Sequence, residues 1–112
     1  MNVEKMNEKA ENVETLLKAM ANRQRLMILC QLLSNEMSVS AIVQAIGLSQ
    51  SAVSQHLSVL RNDGLVTTRR ESQTIYYKIG NEQVLQLMGL LYEMFCAPEE
   101  EKPALTSERK KP

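Results

Sequence analysis

Between residues 50 and 58 the chain sets Gln50, Ser51, Ser54, Gln55 and Ser58 among the apolar Ala52, Val53 and Leu57. At helical spacing the polar set falls largely on one face and the apolar set on the other. Carboxamides and hydroxyls of that reach suit base edges and phosphate oxygens. The one histidine, His56, lies inside the same stretch, and Arg61, Arg69, Arg70 and Gln73 follow it. The other reactive groups are two thiols, Cys30 and Cys96, which are nucleophiles and redox partners once deprotonated. There is no glycine-rich phosphate loop, no Ser-His-Asp set and no evident pair of catalytic carboxylates, so the pattern is that of a binding protein and not an enzyme.

The charge distribution agrees. The 112 residues carry no formal net charge, yet residues 22–81 hold six Arg or Lys (Arg23, Arg25, Arg61, Arg69, Arg70, Lys78) against Glu36, Asp63 and Glu71. The two ends are correspondingly acidic. A basic middle points to phosphate contacts there. No apolar run approaches a bilayer span, and the opening MNVEKMNEKAENVE lacks the apolar core of a secretion signal, so the expected location is the cytoplasm, with no membrane partner. In that reducing compartment two distant cysteines are not read as a structural disulfide.

The elements that must position these groups follow from periodicity and caps. Residues 4–20 form a helix with Val13, Leu16, Leu17 and Met20 at three- and four-residue spacing. Asn22 caps a second helix, Arg23 to about Leu33, whose many apolar positions make it the central core helix. Ser38 caps a short helix, Val39 to Ile46, stopped at Gly47, and Ser49 caps a fourth through Asn62, stopped by Asp63 and Gly64. Two β-prone runs, Leu65–Glu71 and Thr74–Ile79, flank Ser72 and Gln73 as a hairpin. Asn81 caps a last helix, Glu82 to about Cys96, carrying Val84, Leu87, Met88, Leu91 and Phe95. This predicts one domain over residues 1–96 and a disordered charged tail over 97–112.

A short helix, a tight Gly-Leu-Ser turn and a second helix with a free polar face make a helix-turn-helix, and the hairpin behind it makes a wing. The expected fold is therefore mostly α with a β-hairpin, a winged helix-turn-helix in the order helix-helix-helix-helix-strand-strand-helix. Its partner is double-stranded DNA, contacted by Gln50, Ser51, Ser54, Gln55, His56, Arg61, Arg69, Arg70 and Gln73. A purely protein-binding winged helix is the rival reading, and the polar and basic residues of that set argue against it.

The words LLKAMANRQRLMILCQLL, LSQSAVSQHLSVLRNDGLV and RRESQTIYYKI, spread over residues 16–91, strongly resemble the ArsR/SmtB family of bacterial winged-helix repressors. The resemblance implies a homodimer formed through the first and last helices on an imperfect palindrome, with an inducer that changes DNA affinity. The apolar residues of 13–20 and 84–95 fit that dimer, since they exceed what a small core can cover. Metal-sensing members carry a cysteine pair where this chain has Ser38 and Ser40, or ligands on a last helix that here holds no histidine. Hydroxyls are poor ligands for arsenite, cadmium or zinc, so no metal site and no cofactor are expected. The words MILC and YEMFC instead resemble the thiol-switch branch, the HlyU-like and BigR-, SqrR- and YgaV-like persulfide sensors. That resemblance implies a redox switch in which an oxidant or a reactive sulfur species links Cys30 to Cys96. For Cys30 alone the plainer reading is a small apolar filler, and a metal-sensing or constitutive regulator with structural cysteines is the alternative.

Overall fold

The computed structural model describes residues 1–98. Each of its five helices starts at an Asn or Ser whose side chain accepts a hydrogen bond from a first-turn N–H, an arrangement worth about 1 kcal/mol per helix. Asn2 Oδ1 accepts from Lys5 at 3.0 Å and opens α1 (Val3–Met20). Asn22 accepts from Arg25 at 3.0 Å and opens α2 (Arg23–Leu32). Ser38 and Ser49 do the same at 3.2 and 3.1 Å for α3 (Val39–Ile46) and α4 (Gln50–Asn62). Asn81 accepts from both Gln83 and Val84 before α5 (Glu82–Phe95).

Left-handed glycines turn the chain where the polar signals placed them. Gly47 ends α3 at φ 77°, and Gly64 at φ 83° reverses the chain after α4 so that the Leu65 N–H donates to the Leu60 carbonyl at 2.8 Å. The hairpin follows, with strands Val66–Glu71 and Thr74–Ile79 in antiparallel register from Val66 opposite Ile79 to Glu71 opposite Thr74. A two-residue strand, Met37–Ser38, joins the far side of Thr74–Ile79, pairing Met37 with Tyr77 and Ser38 with Tyr76. In chain order these are β1 (Met37–Ser38), β2 (Val66–Glu71) and β3 (Thr74–Ile79), and the sheet order is β1-β3-β2. The sequence predicts only the hairpin. Two residues are too few for an alternating pattern to register, and β1 exists only because α3 brings them beside β3.

The core gathers Ile28, Leu29 and Leu32 of α2 with Ile42 of α3, Val53, Leu57 and Leu60 of α4, Leu65 and Val66 of the hairpin, and Val84 and Met88 of α5. Helix α2 is its centre, as its dense apolar content predicts. The last turn of α1 contributes Ala19 and Met20, but most of that 18-residue helix is exposed. Along α1 and α5 the apolar stripes are only half used: Leu17 is 49%, Leu90 52% and Phe95 63% exposed. Ala97 is buried and Pro98 exposed, and the rest of the predicted tail, 99–112, lies outside the described residues. Among the described residues no helix is long and apolar enough to cross a membrane.

Candidate nucleic-acid interface and the two thiols

Helix α4 is held by its apolar side. Val53, Leu57 and Leu60 are buried against α2, α3 and β2, which fixes the helix relative to α3 and leaves the opposite side in solvent. On that side Gln50, Ser51, Ser54, Gln55 and Ser58 are all exposed, and Arg61 is exposed near the C-terminal end. Among the described residues the side chains of Gln50, Ser51, Ser54 and Gln55 form no hydrogen bond, so their donors and acceptors stand available for a partner. An α-helix about 10–12 Å across with such a face fits a major groove about 12 Å wide.

His56 stands apart from its neighbours. It is half-buried, and its Nδ1 lies 3.4 Å from Nη1 of Arg25. Burial, and then the nearby guanidinium, push the imidazole below its ordinary range, so the ring is neutral at physiological pH. The same Arg25 donates from Nε to the Ala19 carbonyl at 2.7 Å. Of the nine predicted contact residues, His56 is the one that is half-buried; the other eight are exposed.

The wing divides its two arginines. The β2–β3 register places Thr67, Arg69, Glu71, Thr74, Tyr76 and Lys78 on one face, with Arg70 and Ile75 on the other. Arg69 donates from Nε to Glu36 Oε1 at 2.6 Å and from Nη1 to Glu71 Oε1 at 3.1 Å, and its Nη2 completes the ion pair with Glu36 Oε1 at 2.6 Å. Its guanidinium also lies 4.7 Å from the centre of the Tyr76 ring, within cation–π range. The hydrogen bond from Arg69 holds the Glu36 carboxyl below its usual range, and the two carboxylates hold the Arg69 guanidinium still more firmly protonated. Arg69, expected on a phosphate, is therefore bound to its own protein. Arg70 and Gln73 are exposed, and Arg70 has no ion-pair partner among the described residues. Ser72, at the turn, has a positive φ of 59°.

Sequence reasoning did not find Arg25, Glu36 or Tyr76 as site residues. Glu36 and Arg69 are separated by 33 residues and Arg25 and His56 by 31, and neither pairing leaves a local pattern.

Cys30 and Cys96 are both free thiols. Cys30 is half-buried near the end of α2, packed against the core, while Cys96 is the exposed C-cap of α5. Helices α2 and α5 pack on one another. Among the described residues no three His, Cys, Asp or Glu side chains cluster as metal ligands would.

A helix-turn-helix with an exposed reading helix and a β-hairpin behind it defines a winged-helix DNA-binding protein. The comparisons with known proteins give the family. Residues 22–68 match the model of the bacterial regulatory protein, arsR family. The transcriptional activator HlyU of Vibrio cholerae is 48% identical over 96 residues, covering 86% of this chain and 89% of that protein. The solved structure of reduced HlyU from Vibrio cholerae matches with a TM-score of 0.79 at 47% identity, covering 83% of this chain and 98% of that one. The transcriptional repressor BigR of Xylella fastidiosa gives a TM-score of 0.79 at 41% identity, over 88% of this chain and all of that one (100%). A homodimeric winged helix-turn-helix domain from Mycobacterium bovis gives 0.70 at 38% identity, over 76% of this chain and 79% of that one. The chain belongs to the ArsR family and is a DNA-binding transcription regulator, not an enzyme. An activator and a repressor stand among its relatives, so family membership leaves the direction of regulation open.

Proposed function

We propose that the chain works as a cytoplasmic homodimer on a palindromic operator and that its DNA affinity is switched by oxidation of Cys30 and Cys96. The exposed apolar residues of α1 and α5 support the dimer. They leave Val13, Leu17, Leu90 and Phe95 in water, and a second copy placed against them would bury them. The homodimeric Mycobacterium bovis relative supports the same assembly. Each protomer then offers one α4, with Gln50, Ser51, Ser54 and Gln55 toward base edges and Arg61, Arg70 and Gln73 toward the phosphates.

The switch rests on the placement of the thiols: one half-buried on α2, one exposed at the end of α5, on helices that pack together. Two routes balance. With hydrogen peroxide one thiolate is oxidised to a sulfenic acid and releases water or hydroxide; the other thiolate then displaces hydroxide and forms the disulfide. With a polysulfide, one cysteine thiolate attacks the terminal sulfane sulfur and becomes a persulfide, while the S–S bond behind that sulfur breaks and the shortened polysulfide leaves as its thiolate. The second thiolate attacks the inner sulfur, and hydrogen sulfide leaves. Either link ties α2 to α5 beside the proposed dimer surface, where a small shift changes the spacing of the two recognition helices. DNA sets that spacing at about one helical turn.

The test is the DNA affinity of the purified protein when reduced, with hydrogen peroxide, with an organic polysulfide and with zinc. Oxidant or polysulfide should lower the affinity, and mass spectrometry should show an intramolecular link. Cys30→Ser and Cys96→Ser should bind DNA as the reduced protein does and ignore both reagents. An unchanged affinity with no link would leave a constitutive regulator with structural cysteines, and a response to zinc alone would make it a metal sensor.

A further inference from the structure

We propose that Arg25 is a positioning residue that clamps the recognition helix to the end of α1, and that protonation of His56 opens the clamp and weakens DNA binding. The inference rests on α4 being the helix that reads DNA. One guanidinium joins three elements. Arg25 belongs to α2, its Nε donates to the Ala19 carbonyl in the last turn of α1 at 2.7 Å, and its Nη1 meets His56 Nδ1 of α4 at 3.4 Å. The chain leaves the helix at Ala21, so the Ala19 carbonyl lacks a helical N–H and needs another donor. Ala19 itself is buried, which makes that need more costly to leave unmet.

A guanidinium has only donors, so the contact with His56 requires Nδ1 to be the acceptor. That selects the neutral ring with its proton on Nε2. Protonation would place an N–H and a second positive charge against Arg25, and the contact would become repulsive. Among the described residues Arg25 is the charged group that acts on the ring; no carboxylate of α2, α3 or α4 offsets it. Burial and Arg25 both lower the affinity of the ring for protons, so the clamp is fully closed above the ordinary histidine value and opens as pH falls through the lowered one. His56 directly follows Gln55 of the reading face, and Arg25 reaches back to α1, a helix of the proposed dimer surface. The clamp therefore links the dimer helix to the DNA-reading helix within one protomer.

His56 is the one histidine of the chain, so its ring resonances report its titration directly. The experiment combines that titration with DNA affinity at constant salt, under reductant, between about pH 8 and pH 5.5. The wild type should lose affinity several-fold on acidification. His56→Asn, whose Oδ1 accepts in place of Nδ1 and does not titrate, should flatten the profile. Arg25→Gln should raise the titration midpoint of His56 and lower neutral-pH affinity by roughly three- to tenfold. An affinity that rises on acidification would overturn the clamp, because it is what direct contact between the ring and a phosphate produces. A His56 titration unmoved in both Arg25→Gln and Arg25→Lys would overturn it as well. If the Arg25 variants fail to fold, the wild-type and His56→Asn profiles still decide. If α4 is not the reading helix, Gln55→Ala leaves affinity unchanged at every pH; if only the clamp is wrong, Gln55→Ala weakens binding while the pH profile stays flat.

Discussion

The recognition helix and the wing both present polar side chains outward, and they commit them differently. On α4 the apolar half of the helix does the anchoring, so Gln50, Ser51, Ser54 and Gln55 are exposed and form no side-chain hydrogen bond among the described residues. The wing reaches the core only at its base, through Val66, Tyr77 and Ile79, and it is also anchored by its own charges: Arg69 is bound to Glu36, Glu71 and the Tyr76 face. A helix with one buried face can spend its other face entirely on recognition. A two-stranded hairpin is marginal alone and must use part of its polar surface to hold its own position. Arginines adjacent in sequence are thus committed differently, Arg69 to carboxylates of its own chain and Arg70 to no ion pair among the described residues.

The comparison breaks most severely if the anchor of α4 is removed. Leu57→Ala should lower stability by about 2–5 kcal/mol in a denaturant titration, since Leu57 is 1% exposed at the joint of α2, α3 and α4. Gln55→Ala tests the other half of the same helix. It should leave the melting temperature nearly unchanged and cost about 1–3 kcal/mol in binding to the preferred operator, with less loss on unrelated DNA.

In the wing the contrast is read from salt dependence. Arg70→Ala should weaken binding to all sequences and reduce the slope of log affinity against log salt by about 1. Arg69→Ala should change that slope less, because its charge is already neutralised by Glu36 and Glu71, and should instead loosen the wing. A loss of slope in Arg69→Ala as large as in Arg70→Ala would erase the distinction. The smallest effect concerns pH. The Arg69 hydrogen bond lowers the Glu36 carboxyl from its ordinary 4.5, so its contribution to the folded state is complete above that value and is lost as pH falls through the lowered one. Glu36→Gln should therefore flatten a small part of the acid limb of the stability profile, with no difference in pH dependence near neutrality.

Much of this architecture is legible in the chain. The capping residues Asn22, Ser38, Ser49 and Asn81, the stops at Gly47 and Gly64 and the alternation of Thr74–Ile79 predict their elements to within a residue. These signals are local: a cap acts over three residues and a strand repeats every two. The polar face of α4 is legible for the same reason, because helical periodicity assigns both faces at once. Residues 16–91 also carry the family resemblance that the comparisons bear out.

What the tertiary structure decided is which polar groups are spoken for. Composition counts Arg25, Arg69 and Arg70 as equal positive charges. Only the folded chain places Arg25 between the Ala19 carbonyl and His56, and Arg69 against Glu36 across 33 residues. It likewise made a strand of Met37–Ser38 and buried Ala97. Periodicity follows from chemistry along the backbone, whereas an ion pair depends on where two distant backbones come to rest. The chain by itself determined that α4 has a polar face, and the packing of α1, α2 and the sheet determined which polar side chains remain available to a partner.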